Sequence, residues 1–162
     1  MGKKEGGATP AVRALEAAGV RFQLRRYEHD PRTQLGFGLE ASQALQVSPE
    51  RVFKTLVVMI GRAFAVAVLP VGSRLDLKAM ARALGVKKVE MADPAAAERA
   101  TGYVVGGISP LGQRTAHPTA IDSSALEHAS ILVSGGRRGL DVEIAPATLA
   151  ELTDAVVAQL AV

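Results

Sequence analysis

The chain has 162 residues, 48% of them hydrophobic and 22% charged, a length that suits one domain with a buried core. It contains no cysteine, which excludes disulfides, a cysteine nucleophile and cysteine-ligated zinc and is typical of a cytoplasmic protein. No apolar run approaches the roughly 20 residues that cross a bilayer, so we expect no membrane partner. The net charge of +3 permits a polyanionic partner, whereas 4% aromatic residues disfavour a stacking platform for single-stranded nucleic acid.

The first third of the chain predicts two helices and a strand. Residues 1–8 are predicted to form a flexible tail. A capping Thr9, a proline at the next position and a terminal Gly19 predict the first helix. Alternating apolar and polar residues predict a half-exposed strand over 20–30, and a loop rich in glycine and proline leads to a second helix over 39–47.

The middle of the chain predicts a β-hairpin followed by helices. Branched and aromatic side chains crowd the stretch RVFKTLVVMIG, which predicts a strand, and a tight turn at Gly61 and Arg62 joins it to a second strand. The predicted order is a strand over 51–61, a strand over 63–70, a helix over 74–85, a short strand over 87–92 and a helix over 93–102.

The last third of the chain is interrupted by glycines. Short strands are predicted at TAID, SILVS and LDVEI, with GGRRG linking the last two, and a final helix begins near Pro146. Helices are mixed with hairpins, and there is no internal repeat. We therefore predict a single α+β domain over residues 9–162 with a mixed, curved sheet, and the many short strands and glycines favour a partly open barrel.

Common catalytic motifs are absent from this sequence. His29, His117 and His128 lack the spacing of metal ligands, and no HExxH occurs, so we expect neither a metal nor a cofactor. There is no GxSxG elbow and no P-loop, and GGRRG does not open a helix as a dinucleotide-binding loop would. A conventional serine or cysteine hydrolase is therefore poorly supported.

Lys54 begins a row of side chains that is otherwise apolar. Because side chains alternate along a strand, it shares a face with Leu56, Val58 and Ile60. Three interpretations remain open. The ammonium binds a phosphate or carboxylate at the mouth of a cavity, it is a desolvated base with a lowered pKa, or it extends from the strand end to water.

Paired glycines in VVGGISPLG and VSGGRRGLD are candidates for backbone chemistry. Glycine lets a backbone approach a ligand closely, and exposed N–H groups can polarise a carbonyl or hold an oxyanion. The alternative is that these glycines only form hairpin turns. Arg137 and Arg138 lie within the second segment, and such basic pairs suit either a polyanion or a solvated edge.

Four motifs, FKTLVV, KKVEMADP, TGYVVGGISPLGQ and VSGGRRGLDVEIAP, resemble the YbaK/EbsC family. These proteins are free-standing aminoacyl-tRNA deacylases similar to the editing domain of bacterial prolyl-tRNA synthetases. The resemblance extends from Thr9 to the last helix and implies the YbaK fold, a mixed barrel-like sheet surrounded by helices. The pattern is most similar to the branch that acts on Cys-tRNA(Pro).

The resemblance implies roles for two motifs. The essential lysine of the family falls on Lys54, with Thr55 beside it, and would hold the phosphate of the 3′-terminal adenosine rather than act as a base. The GxxxP motif of the family runs from Gly106 to Pro110 and includes Gly107. Its backbone is expected to contact the aminoacyl carbonyl.

The resemblance also implies a binding pocket. Tyr27 and Phe37 would shape the space for the aminoacyl group, and Ser134 and Asp141 would hold the ribose or the substrate amine. The sequence departs from the family after Phe37, where Leu39 and Glu40 follow Gly38 in place of the usual acidic segment.

The implied mechanism needs no protein nucleophile. In the Cys-tRNA(Pro) branch the thiol of the substrate attacks its own ester and releases a thiolactone, and the same activity would extend to Cys-tRNA(Cys). The alternatives are a deacylase for another small amino acid such as alanine, which would need water, and a non-catalytic module that binds tRNA or a synthetase. The implied partners are the 3′ end of tRNA(Pro) and prolyl-tRNA synthetase, with weak, salt-dependent tRNA binding.

Overall fold

The structure is a computed structural model and describes residues 9–162. The predicted tail, residues 1–8, lies outside the described residues. In chain order the elements are α1 (Pro10–Ala18), β1 (Gln23–Arg26), α2 (Phe37–Leu45), β2 (Phe53–Ile60), β3 (Ala63–Pro70), α3 (Leu77–Leu84), β4 (Glu90–Met91), α4 (Pro94–Thr101), β5 (Thr119–Asp122), β6 (Ile131–Arg137), β7 (Leu140–Ile144), α5 (Pro146–Thr153) and β8 (Val156–Ala158). Two short 3₁₀-helices, Pro49–Arg51 and Ser123–Glu127, precede β2 and β6. None of the helices in this part of the chain has the length and hydrophobicity of a membrane span.

The helix ends follow the local signals in the sequence. Thr9 caps α1 by accepting a hydrogen bond from the Val12 N–H at 3.1 Å, and Gly19 ends it with a left-handed φ of 68°. Asp76 and Asp93 cap α3 and α4 in the same way. The predicted helices α1, α3 and α4 are therefore confirmed, whereas α2 begins two residues earlier than its predicted first residue at position 39.

A five-stranded mixed sheet has the order β4-β2-β3-β5-β8. The predicted hairpin of β2 and β3 is confirmed, with antiparallel partners from Phe53–Pro70 to Ile60–Ala63. β5 runs parallel to β3, and β8 runs parallel to β5. β8 was not predicted from the sequence, because three residues after a helix are too few to establish a period.

A three-stranded antiparallel sheet has the order β1-β7-β6. A bulge lies between Ser134 and Arg137, so two glycines expected in a linker, Gly135 and Gly136, belong to β6, whereas Gly139 lies in the turn. The bridge pair Val52–Leu132 connects the two sheets. The predicted α+β class is confirmed, and the mixed β structure is divided into two hydrogen-bonded sheets rather than one continuous barrel.

Three hydrophobic clusters hold these layers together and leave the site between them. Side chains of β2 and β3, including Phe53 and Val68, pack against Val133 and Val142 of the smaller sheet. The opposite face of β3 packs against Met80 of α3 and its neighbours. A third cluster packs Ala41 and Leu45 of α2 against Val52 and Val71, which flank β2 and β3. Most of the favourable free energy of such packing comes from the burial of apolar surface.

Candidate active site

A cavity of about 380 Å³ opens where α2, β2, α4 and the smaller sheet meet. Its wall is mostly apolar, as is typical of small-molecule sites. Seven predicted site residues line it: Tyr27, Phe37, Lys54, Thr55, Gly106, Ser134 and Asp141. Segments that are distant in the sequence therefore converge on one site.

The structure does not bring Gly107 and Pro110 to this cavity. Gly107 is buried, and its N–H donates to the Val104 carbonyl at 2.8 Å within a turn. A Cβ at Gly107 would lie 2.7 Å from the Cα of Arg137, so this glycine allows the loop to pack on β6. Pro110 is also buried and lines a separate cavity of about 280 Å³. The placement of both residues therefore differs from the expected contact with the aminoacyl carbonyl.

The Lys54 ammonium lies against the turn that follows β3. It donates to the Ser73 carbonyl at 2.5 Å and makes a longer contact of 3.4 Å with the Val71 carbonyl. Burial lowers its pKa from the ordinary value, because desolvation disfavours the charged form. An ammonium has three N–H donors, so one remains for a ligand at the edge of the cavity.

Asp141 contributes a buried carboxyl to the lining of the cavity. It lies in β7, paired across strands with Ser134 on one side and Arg25 on the other, and is 6% exposed. Burial is the larger effect on the Asp141 pKa and raises it to about 7, although the nearby Arg25 charge acts in the opposite direction. Burial raises the pKa of Tyr27 to about 12, and the nearby negative charge of Asp141 acts in the same direction, so Tyr27 stays neutral. Within residues 9–162 no hydrogen bond reaches the Asp141 carboxyl, which leaves it free to accept one from a bound amine.

Two further polar groups at the cavity have no partner. The buried Thr55 Oγ1 makes no hydrogen bond in the described chain. The Gly106 N–H likewise finds no acceptor among residues 9–162, whereas the N–H groups of Val105 and Gly107 bond the Glu98 carboxylate and the Val104 carbonyl. Buried polar groups in native proteins are nearly always satisfied, so the unpaired Thr55 hydroxyl indicates a ligand or water, and the unpaired Gly106 N–H remains available to one.

Phe37 is held in place by its neighbours. The Arg138 guanidinium lies over its ring with 4.8 Å to the centroid, and the His29 ring lies at 5.7 Å. Glu40, which is buried, bonds His29 Nδ1 at 2.8 Å and accepts from the Asp30 N–H at 2.7 Å. The unusual segment after Phe37 thus supplies a carboxylate that ties the preceding loop to α2.

One wall of the cavity was not predicted from the sequence. This wall is formed by β4, α4 and the link between them, and its lining residues are Met91, Ala92, Pro94 and Ala97. A signal was present, because the first three lie in the motif KKVEMADP, to which no role was assigned. The periodicity of the sequence could not predict this wall, because the position of the wall depends on where α4 packs in the fold.

The site combines an ammonium, a buried carboxyl, an unpaired hydroxyl and an unpaired backbone N–H around an apolar space. No group of three or more potential metal ligands occurs among the described residues. Such an arrangement can hold a small amine-bearing acyl group and polarise its carbonyl without forming a bond to the protein.

The chain is similar to known proteins over most of its length. The aminoacyl-tRNA editing domain family matches residues 39–152. EbsC of Enterococcus faecalis, a candidate Cys-tRNA(Pro)/Cys-tRNA(Cys) deacylase, is 35% identical over 159 residues, which cover 98% of this chain and 96% of EbsC. The crystal structure of a candidate trans-editing enzyme for prolyl-tRNA synthetase matches with a TM-score of 0.83 and 27% identity, covering 94% of this chain and 95% of that one. A hypothetical protein of known structure matches with a TM-score of 0.84 and 28% identity, over 94% and 99% of the two chains. The chain therefore belongs to the aminoacyl-tRNA editing domain family.

Proposed function

We propose that the protein is a free-standing editing deacylase that releases cysteine from Cys-tRNA(Pro). The observation that carries the proposal is one cavity lined by Lys54, Thr55, Gly106 and Asp141, with the Thr55 hydroxyl left unpaired. The relative EbsC, which is named as a candidate Cys-tRNA(Pro)/Cys-tRNA(Cys) deacylase, supports the choice of cysteine. By the same reasoning Cys-tRNA(Cys) is a second substrate.

Each polar group of the cavity binds a different part of the substrate. The remaining N–H of the Lys54 ammonium binds the phosphate of the 3′-terminal adenosine. The ionised fraction of Asp141 accepts a hydrogen bond from the amine of the aminoacyl group, next to Ser134 and the ribose. The Gly106 N–H donates to the ester carbonyl, and such a donor contributes about 3–4 kcal/mol when it meets a developing oxyanion.

The chemical step is carried out by the substrate itself. The cysteine sulfur attacks the carbonyl carbon, a C–S bond forms, and the C–O bond to the ribose breaks. The thiol proton ends on the released ribose oxygen, so the products are a thiolactone and tRNA with a free 3′ end. The protein contributes position and electrostatic stabilisation, and the mostly apolar cavity wall limits competing attack by water.

A panel of charged tRNAs tests this function. Cys-, Ala-, Ser- and Pro-tRNA(Pro), together with Cys-tRNA(Cys), are incubated with catalytic amounts of the protein, and loss of the amino acid is followed. We expect release of cysteine alone. Release of alanine would indicate attack by water, and tight binding without release would indicate a non-catalytic module.

The same assay tests Lys54. Lys54→Ala should abolish deacylation while the fold persists, and Lys88→Ala is the matched control, because the Lys88 side chain is 76% exposed and pairs with an exposed glutamate. Unchanged hydrolysis by Lys54→Ala would exclude the proposed anchor.

We also propose that tRNA selection depends on prolyl-tRNA synthetase. This domain is too small to read a whole tRNA, so its own binding should be weak and should weaken further with salt. Titration of labelled tRNA(Pro) at two salt concentrations, with and without the synthetase, tests this partner. Tight binding that is insensitive to salt, without the synthetase, would contradict the proposal.

A further inference from the structure

Arg138 lies in the turn between β6 and β7 and holds the loop that carries Gly106. Its Nε and Nη2 both donate to the Val105 carbonyl, at 3.0 and 2.7 Å. The two hydrogen bonds fix the direction of this carbonyl, because the guanidinium is planar and its donors have a fixed geometry.

The same guanidinium also contacts the start of α2. It stacks over the Phe37 ring with 4.8 Å between the guanidinium carbon and the ring centroid. Three segments, the β6–β7 turn, the loop after α4 and the first residue of α2, therefore meet at Arg138. Two of them contribute residues to the cavity wall.

Gly106 is what allows this contact. A Cβ at Gly106 would lie 2.8 Å from Arg138 Nε and 2.8 Å from Phe37 Cζ, closer than real Cβ atoms come to such neighbours. Its φ of 91° is also in the left-handed region that favours glycine. The loop can therefore lie directly beneath the guanidinium and the ring.

We propose that Arg138 is a positioning residue that aims the Gly106 N–H into the cavity. The Val105 carbonyl and the Gly106 N–H belong to one planar, trans peptide unit, so fixing the carbonyl fixes the N–H on the opposite side. The charged donor also polarises this peptide unit and strengthens its N–H as a donor. The inference rests on the proposed function in one respect, the role of the Gly106 N–H at the ester carbonyl.

The kinetic test compares Arg138→Ala and Arg138→Lys with the wild-type protein on Cys-tRNA(Pro). A lysine keeps the charge but cannot make the fork or stack on the ring, so both variants should lose kcat by about 10- to 100-fold with KM changed less than about 3-fold. Methylguanidinium should restore part of the activity of Arg138→Ala. Arg26→Ala is the charge-matched control, because Arg26 is exposed at the end of β1.

A second measurement reports on the loop itself and does not depend on catalysis. Hydrogen exchange of the hydrogen-bonded Val105 and Gly107 amides should accelerate at least about 10-fold in Arg138→Ala and remain unchanged in Arg26→Ala. If the wild-type protein releases no amino acid but exchange responds in this way, the proposed function fails while the positioning role stands. Unchanged amide exchange in Arg138→Ala would overturn the inference, and so would full activity of Arg138→Lys. An equal loss of activity through KM in Arg138→Ala and Arg26→Ala would also overturn it.

Discussion

Replacing Asp141 by asparagine should stabilise the protein above neutral pH while it impairs the site. Asp141 is 6% exposed, and burial raises its pKa from an ordinary 3.8 to about 7. The unfolded chain therefore loses this proton near pH 4, whereas the folded chain keeps it until about pH 7. Between these values the folded state binds more protons, so the free energy of unfolding falls as the pH rises.

The pKa difference sets the magnitude. About three pH units at roughly 1.4 kcal/mol per unit amount to a loss of about 4 kcal/mol, complete above pH 7. Asparagine has nearly the same shape and no charge, so this loss should be absent from Asp141→Asn. The pKa values of Glu143 and Asp122 are lowered and give the opposite slope, but both residues are present in the two proteins and cancel in the difference.

Urea unfolding from pH 4.5 to 8.5 measures this effect. We expect the excess of the Asp141→Asn free energy of unfolding over that of the wild-type protein to grow from about 1 kcal/mol near pH 4.5 to about 4 kcal/mol at pH 8. Asp154→Asn is the control, because Asp154 is exposed in a left-handed conformation that asparagine tolerates. Parallel stability profiles of Asp141→Asn and the wild-type protein would refute burial as the origin of the shift.

The Asp141→Asn substitution should lower deacylation activity although it raises stability. If the ionised carboxyl binds the substrate amine, the deacylation rate of the wild-type protein should rise as the pH increases through 7, and Asp141→Asn should lose both the rate and this rise. Gain of stability with loss of activity would identify Asp141 as a group that is retained for function. A variant as active as the wild-type protein across this range would remove Asp141 from the site.

Three further substitutions follow from local geometry. Gly106→Ala should reduce deacylation at least about 10-fold, because its Cβ would displace the guanidinium and ring above the loop; near-normal kinetics would contradict this. Thr9→Ala should cost about 1–2 kcal/mol in urea unfolding, since the hydroxyl caps α1 and donates to the Gly135 carbonyl at 2.6 Å, whereas Thr9→Ser should not. Ala145→Ser should raise stability by about 0.5–1 kcal/mol by capping α5, which has no side-chain cap, and Ala147→Ser should show no gain.

Helix ends and the central hairpin could be predicted because their causes are local. A capping side chain, a proline and a left-handed glycine act within one turn, as Thr9 and Gly19 show for α1. The β2–β3 hairpin could be predicted from its branched and aromatic residues and from the tight turn at Gly61, which are also local signals. By contrast, β8 is three residues long and forms only because β5 offers it a parallel partner.

The long motifs in the sequence determined the family and named seven residues that the structure brings to one cavity. Which atoms of those motifs face the cavity was decided only by tertiary packing. Gly107 turns its N–H into a local hydrogen bond, and Pro110 lies at a separate cavity. For Arg138 the sequence left a polyanion contact and a solvated edge open, and in the structure this exposed residue also holds the Val105 carbonyl. The physical reason is that a backbone N–H takes its direction from the groups packed around its peptide, and here those groups come from segments more than 30 residues apart in the chain.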